Sequence, residues 1–274
     1  MKPSQRLAVA SLTPHGVSRA ERCVAAEVPI AISFFGIGYA VMMATPADLE
    51  DFAIGFARSE RLIDRADDVL AIEQGETDGQ DGILLQIELA PERRDLVFER
   101  VRHRIGESSC GLCGIENLEQ ALRPLPRIAA RPVAVAPEML FAALAGLGPL
   151  QPLNQATGAV HAAAFFDASG QCVAVREDVG RHNAFDKLIG HAMRSGIALA
   201  QGFALLTARC SYELVEKAAL AEIPLLVTVS APTTLAARRA KEAGLTLIAL
   251  AREDSMLVIS DPHGAYGAAD LVGG

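Results

Sequence analysis

The sequence predicts an α/β protein, most of it a largely parallel sheet covered on both faces by helices. Two observations point there. Three continuous apolar runs, Phe203–Thr207, Pro224–Ser230 and Leu245–Leu250, alternate with helical patterns over Tyr212–Ala221 and Thr233–Ala243. Strands buried on both faces read as unbroken apolar runs, and strand–helix alternation is the mark of a parallel sheet. Earlier in the chain, residues 20–105 carry a hairpin, a helix and an alternating strand, the content of a smaller α+β subdomain.

In chain order, residues 1–20 have few periodic apolar positions and read as a loose leader. Pro29–Phe35 and Tyr39–Met43 flank Gly36-Ile37-Gly38, which predicts a hairpin. Thr45-Pro46-Ala47-Asp48 then reads as a helix start. Thr45 is placed to cap it, Pro46 suits the first position, and Asp48 suits the positive end of the dipole. Leu49, Phe52, Ala53, Phe56 and Ala57 make its buried stripe. Residues 64–82 are polar and turn-rich, and Ile83, Leu85, Ile87 and Leu89 alternate as a half-buried strand. Residues 115–122 suggest a short helix, and the proline-rich run up to Pro137 a linker-like crossing. Pro137 opens a helix with Leu140, Ala143, Leu144 and Leu147 on one face. Asp167-Ala168-Ser169-Gly170 marks a hairpin between Ala162–Phe166 and Cys172–Val175. A helix with Phe185, Leu188, Ile189, Ala192 and Met193 closes at Gly196, and Met256–Ile259 is a fourth strand. This gives a leader (1–20), a small α+β unit (21–105), a cysteine loop (106–114) and the larger α/β domain (115–274).

Hydrophobic residues make up 51% of 274, so the chain can build a sizeable core. No apolar run is long enough to span a membrane, and the first 22 residues lack an apolar signal-peptide region. A reducing cytoplasmic setting is therefore expected. The net charge of −8 disfavours nucleic acid and membrane surfaces as partners of the whole chain.

The chemistry concentrates at Glu107-Ser108-Ser109-Cys110-Gly111-Leu112-Cys113-Gly114. A C-x-x-C pair serves as half a zinc site, as a dithiol couple, or as a nucleophilic thiolate with a neighbour. The flanking glycines and serines predict a mobile, exposed loop rather than a core. Arg93, Arg94, Arg100, Arg102 and Arg104 precede it, and a positive field favours thiolate. Zinc would need two more ligands, with His161 and His182 the candidates. Zinc deaminases carry H-x-E followed by P-C-x-x-C. Here the order is reversed, no Glu follows His161, and no Pro precedes Cys110, so deaminase chemistry is disfavoured. A thioredoxin-type couple is disfavoured because the pair follows a basic stretch rather than opening a helix after a strand. With no second C-x-x-C, the chain is expected to hold no metal.

A second constellation is Arg176-Glu177-Asp178-Val179-Gly180-Arg181-His182-Asn183 with Lys187. Asp178 reads as the cap of the helix that follows. Arg181, His182, Asn183 and Lys187 read as donors beside a helix N-terminus, a recipe for a phosphate or pyrophosphate site. A plain, solvated helix start accounts for the spacing equally well. The polar clusters Thr207–Ser211 and Ser230–Thr234 should line one crevice at the carboxyl ends of the strands.

Taken together, five segments stand in the order of one family. They are Thr45–Leu49, Ser108–Gly114, Thr157-Gly158-Ala159-Val160-His161-Ala162-Ala163, Glu177–Lys187 and Ser230-Ala231-Pro232-Thr233. Over roughly residues 20–260 the chain resembles the FdhD family of formate dehydrogenase accessory sulfurtransferases. The resemblance implies a sulfur carrier and homodimer with a three-layer, cytidine-deaminase-like fold built on a mixed sheet, and no zinc chemistry. It implies sulfur taken as a persulfide from a cysteine desulfurase and passed to the bis(molybdopterin guanine dinucleotide) molybdenum cofactor of a formate dehydrogenase. Cys110 corresponds to the carrier, with Cys113 its neighbour. Leu250-Ala251-Arg252-Glu253-Asp254-Ser255 corresponds to the guanylate-cofactor segment, where a guanine nucleotide would mimic the cofactor. His161, Asp178, Arg181 and His182 are the further cofactor-binding candidates. The chain departs from the family pattern at Ala208, Ala249 and Leu250, and keeps Arg252. The competing class is a regulatory or chaperone-like module that binds a nucleotide or cofactor without moving sulfur.

Overall fold

The computed structural model describes residues 1–76, 82–106, 123–129 and 134–268. Cys110, Cys113 and the expected helix at 115–122 lie outside the described residues.

Two sheets carry the molecule. The smaller has four strands in the order β4-β3-β6-β5, where β3 is Val28–Phe34, β4 Ile37–Ala44, β5 Val69–Glu76 and β6 Ile83–Leu89. One face is apolar: Val28, Ile30, Ile32 and Phe34 alternate with residues of the other face, as do Ile83, Leu85, Ile87 and Leu89. Helix α1 (Leu49–Ser59) closes that core with Phe52, Ala53 and Phe56. Helix α2 (Arg94–Gly106) adds Val97.

The larger sheet has six strands, β12-β11-β10-β9-β7-β8. These are β7 His161–Asp167, β8 Cys172–Asp178, β9 Gly202–Leu206, β10 Leu225–Thr228, β11 Thr246–Ala249 and β12 Leu257–Ser260. Only β9, β10 and β11 run parallel; β7, β8 and β12 are antiparallel to their neighbours, so the sheet is mixed, as the family resemblance implies, rather than largely parallel, as the strand–helix alternation alone suggests. The hairpin turn at Asp167 dictates the β7–β8 pairing, because a four-residue turn returns the chain antiparallel. Alternate residues face two cores. Ala163, Phe165, Ala204, Leu206, Leu226 and Leu247 meet α5 (Arg181–Ser195), α6 (Tyr212–Leu220) and α7 (Thr234–Ala243). Phe166, Phe203, Leu205, Val227 and Ile248 meet α3 (Pro137–Leu147). A short α4 (Pro152–Thr157) precedes β7. The layers are thus helix, mixed sheet, helix. Gly196 and Gly244 end α5 and α7 at φ 65 and 73, conformations that favour glycine.

The two units meet where α1 crosses α5. A Cβ on Gly55 would lie 1.7 Å from the Asp186 carbonyl oxygen, and one on Gly190 would lie 1.9 Å from that of Asp51. Only glycine permits this approach.

Four expectations need correction. The loose leader is instead an antiparallel ribbon, β1 (Ser4–Thr13) with β2 (Gly16–Ala25), in ten-pair register. Its apolar residues point outward, so no buried pattern betrays it. Thr45 does not cap α1, which starts at Leu49 with Asp48 in a left-handed conformation and no side-chain cap. Residues 69–76 form β5, where turns were expected. The basic approach to the cysteine loop is helical up to Gly106. Several of its arginines are engaged: Arg93 pairs with Asp64 and Asp68, Arg94 lies over the Phe35 and Phe98 rings, and Arg100 donates to the Glu60 carbonyl.

Candidate functional site

The pairing directions put one set of loops on one sheet edge. Strand β7 is antiparallel to both β8 and β9, so its first residue lies beside the last residues of those two strands. The carboxyl ends of β10 and β11 follow in parallel. His161, Asp178, Thr207–Ser211, Val229–Thr233 and Leu250–Ser255 therefore share this edge.

His161 opens β7 directly opposite Asp178, the last residue of β8. Burial lowers its pKa below the ordinary 6.5, and the Arg181 charge lowers it further against the pull of Asp178. Both effects favour its neutral imidazole at pH 7. His182, in the first turn of α5, sets Nε2 2.9 Å from Glu213 Oε2 and 3.3 Å from Ser211 Oγ. That hydrogen bond is the main reason the Glu213 carboxyl is held below its usual range. Arg181 is half-buried, and its Nε is buried without a hydrogen-bond partner among the described residues. A buried N–H left unpaired is costly, and a ligand acceptor would relieve it.

Asp178 is not a helix cap; Gly180 holds that position. The Asp178 side chain is fully buried. Its Oδ1 accepts from the Gly180 N–H at 2.7 Å and from Asn183 Nδ2 at 3.1 Å. Its Oδ2 accepts from the Thr45 N–H at 3.0 Å and pairs with Lys187 Nζ at 2.6 Å. Lys187, also fully buried, donates to the Thr45 carbonyl at 3.0 Å, and Thr45 Oγ1 accepts from the Val179 N–H. Asn183 also donates to the Met43 carbonyl. Of the four expected donors, only Arg181 and His182 remain on the crevice side. Lys187 and Asn183 bind the two units together. Gly180 serves this network too, since a Cβ there would press to 2.7 Å on Asn183 Nδ2.

The Leu250–Ser255 segment is a tight loop. Leu250 holds φ 51, unusual for a branched residue, and donates its N–H to the Ser230 carbonyl at 3.3 Å. Ala251 donates to the Thr228 carbonyl. The Arg252 guanidinium donates to the Val229 and Ala251 carbonyls, so it braces the loop. Glu253, Asp254 and Ser255 are exposed. The structure thus gathers His161, Asp178, Arg181 and His182 into one cluster, and sets the 250–255 loop farther along the same edge. Cys210, in the β9 loop, is buried and its thiol is pushed up to about 12, which makes it inert.

Sequence reasoning missed a cavity of about 550 Å³ between the two units. His182, Arg61, Arg100, Arg123 and Lys217 line it, with Glu60, Asp186, Glu213 and Glu216 among the acids. Lys217 Nζ lies 2.6 and 2.8 Å from the Asp186 oxygens, and Arg61 pairs with Glu216 at 2.5 Å. Burial raises the Asp186 pKa against the pull of Lys217. Burial, then Arg100 and Arg61, lower that of Arg123. In the sequence, Arg100 stands before the cysteine segment and Arg123 after it. Each of these residues reads as an ordinary surface charge; only the meeting of the two units makes a cavity of them.

Fold and site define a mixed-sheet α/β protein with an imidazole- and guanidinium-bearing crevice along one sheet edge. The model of the FdhD/NarQ family matches residues 25–265. A sulfur carrier protein FdhD of Xanthomonas euvesicatoria pv. vesicatoria is 49% identical over 242 residues, which is 88% of this chain and 84% of that one. The sulfur carrier protein FdhD of Agrobacterium fabrum is 42% identical over 256 residues, 93% and 94% of the two chains. A crystal structure assigned as a formate dehydrogenase accessory protein, from Desulfotalea psychrophila, matches with a TM-score of 0.69 at 25% identity, covering 95% of this chain and 98% of that one. The chain belongs to the FdhD/NarQ family.

Proposed function

We propose that this chain is a sulfur carrier required for formate dehydrogenase activity. The observation that carries the reading is the Cys110–Cys113 pair in a chain 49% identical to a protein named as a sulfur carrier. The Cys110 thiolate attacks the terminal sulfur of a cysteine desulfurase persulfide. A new S–S bond forms on Cys110 as the donor's S–S bond breaks, and the donor leaves as a thiolate; no net oxidant is needed. The acceptor is the bis(molybdopterin guanine dinucleotide) molybdenum cofactor, which is a substrate of the transfer rather than a resident group. Cys113 supplies a release route: its thiolate attacks Cys110 Sγ, closes a disulfide and expels hydrosulfide.

Support on the acceptor side comes from the sheet edge. Arg181 offers a buried N–H unpaired among the described residues, His182 is oriented by Glu213, and His161 favours its neutral form, a set suited to an anionic, ring-bearing ligand. Asp178 acts on this set indirectly, by fixing the start of α5. The 250–255 loop would hold the guanine end. The rest of the reading is a homodimer in the cytoplasm, on a cytidine-deaminase-like core. No helix among the described residues is long and apolar enough to cross a membrane.

Mass spectrometry after incubation with a cysteine desulfurase and cysteine tests the carrier step. One added sulfur on Cys110, absent in Cys110→Ser, is expected. No added sulfur on the wild-type chain, with the desulfurase shown to be active, would leave only the nucleotide-binding module.

A further inference from the structure

Glu177 is buried on β8 next to Asp178, and neither the sulfur transfer nor the crevice has yet used it. Its two carboxylate oxygens go to one place. Oε2 accepts from the Leu153 N–H at 2.9 Å and Oε1 from the Asn154 N–H at 2.7 Å. Those N–H groups belong to the first turn of α4, which has no cap of its own. The Gln151 side chain, at the cap position, donates to the Leu147 carbonyl instead. Helix α4 has six residues, too few to hold its shape unaided. At its other end the Arg22 guanidinium, from the root of the β1–β2 ribbon, donates to the Thr157 carbonyl at 2.8 Å.

From these two holds the chain turns into the crevice. Thr157 is buried; its Oγ1 donates to the Leu153 carbonyl at 2.7 Å and accepts from the Ala159 N–H at 3.3 Å. Gly158 turns at φ 67, and a Cβ there would come within 3.3 Å of Arg22 Nη2. His161 then opens β7. It shares a strand face with Ala163 and Phe165, which pack on the α5 side, where Arg181 and His182 start that helix. In the register His161 pairs with Asp178 on one side, while the β9 pairing begins only at Ala163. The corner that delivers His161 therefore decides which way its ring points, since a slip of one residue would turn it to the other face.

We propose that Glu177 and Arg22 are positioning residues for the cofactor crevice. They hold α4 at its two ends, and α4 with the Gly158 turn sets His161 against the start of α5. Both act through His161, not by touching the ligand. Position 177 needs a carboxylate, because two N–H groups need two acceptor oxygens, and glutamine has one oxygen and an amide that donates. The inference rests on reading this edge as the cofactor crevice and not on sulfur transfer.

Two measurements on the full chain test it: calorimetry with guanosine diphosphate, and the titration of the His161 ring by NMR without ligand. The His161 signal is the one missing from His161→Asn. Burial lowers the His161 pKa first, Arg181 and His182 add to that, and Asp178 opposes them, so a loosened corner should let the ring titrate closer to 6.5. Glu177→Gln should do this and weaken guanosine diphosphate binding about fivefold. In a His161→Asn chain the same change should cost less than about twofold, because the residue it acts through is gone. Arg22 is exposed, so Arg22→Gln should fold normally, act in the same direction and carry both readouts if Glu177→Gln does not fold. Arg22→Lys, which keeps a donor, should restore most of the affinity. An equal loss of affinity with and without His161 overturns the proposal, and so does a His161 titration that neither variant moves. A wild type that binds no guanosine diphosphate overturns the crevice reading. The His161 titration alone then decides the positioning: a shift supports it and no shift overturns it.

Discussion

Arg181 and Lys187 stand six residues apart on α5 and have opposite fates. Lys187 lies in the joint between the units, fully buried, with its charge matched by Asp178 and a further donation to Thr45. Arg181 lies on the sheet edge, half-buried, with one N–H unmatched among the described residues. The joint uses charge to fix two bodies in one geometry. The edge leaves charge incompletely paired, at some cost in stability, where a ligand can use it.

The comparison breaks most visibly at Lys187. Lys187→Met leaves the Asp178 carboxylate buried and unpaired, and should cost about 3–5 kcal/mol in chemical denaturation. A loss under about 1 kcal/mol would mean that the joint opens to water. Gly190→Ala tests the same joint by shape alone. A methyl 1.9 Å from the Asp51 carbonyl oxygen must push α1 and α5 apart, at about 2–3 kcal/mol. Both changes should also lower cofactor-side affinity, because the joint sets the start of α5.

Acid should sharpen the contrast between regions. His161 at the edge and His191 beside Asp51 at the joint both have pKa values lowered, first by burial and then by neighbouring arginines. The unfolded chain takes up their protons near pH 6.5 while the folded chain resists, so stability is full above that value and falls as pH drops through it. The urea midpoint should decline from neutral pH to about pH 5.5, and His161→Asn or His191→Asn should each make the decline shallower. An unchanged slope in both would show that the folded histidines protonate freely.

Thr233 gives a local control away from both regions. Its Oγ1 accepts from the Ala236 N–H at 3.1 Å and caps α7, so Thr233→Ala should cost about 1 kcal/mol in denaturation. The smallest effect on stability belongs to the edge. Arg181→Gln should stay within about 0.5 kcal/mol in denaturation. Its affinity for guanosine diphosphate, by calorimetry, should fall about tenfold. The reverse ranking, stability lost and affinity kept, would assign Arg181 to the joint.

What was legible in the sequence follows the same division. The strands and helices of the larger sheet were readable because continuous apolar runs and the glycines at 196 and 244 are local signals. Thr45 was misread because its groups bind Val179 and Asp178, more than 130 residues away, and a cap motif looks the same with or without that distant partner. Lys187 and Asn183 read as ligand donors for the same reason: nothing in one helix tells that α1 will cover it. β1 and β2 were missed because both faces are exposed, which erases the alternation that marks a strand. At the site, the polar start of α5 pointed to Arg181 and His182 as ligand donors, while His161 and the 250–255 loop entered through the family resemblance. The cavity of Arg61, Arg100, Arg123 and Lys217 was not legible, because it exists only between two units.

The claim that sulfur rides on Cys110 and leaves from it is tested most directly by activation of a formate dehydrogenase made without its accessory protein. Add persulfide-loaded wild type, Cys110→Ser or Cys113→Ser, and follow the labelled sulfur. Wild type should restore formate oxidation and pass label to the dehydrogenase's cofactor. Cys110→Ser should do neither, and Cys113→Ser should load label and deliver it more slowly. Full activation by a chain in which both cysteines are serine would contradict the claim.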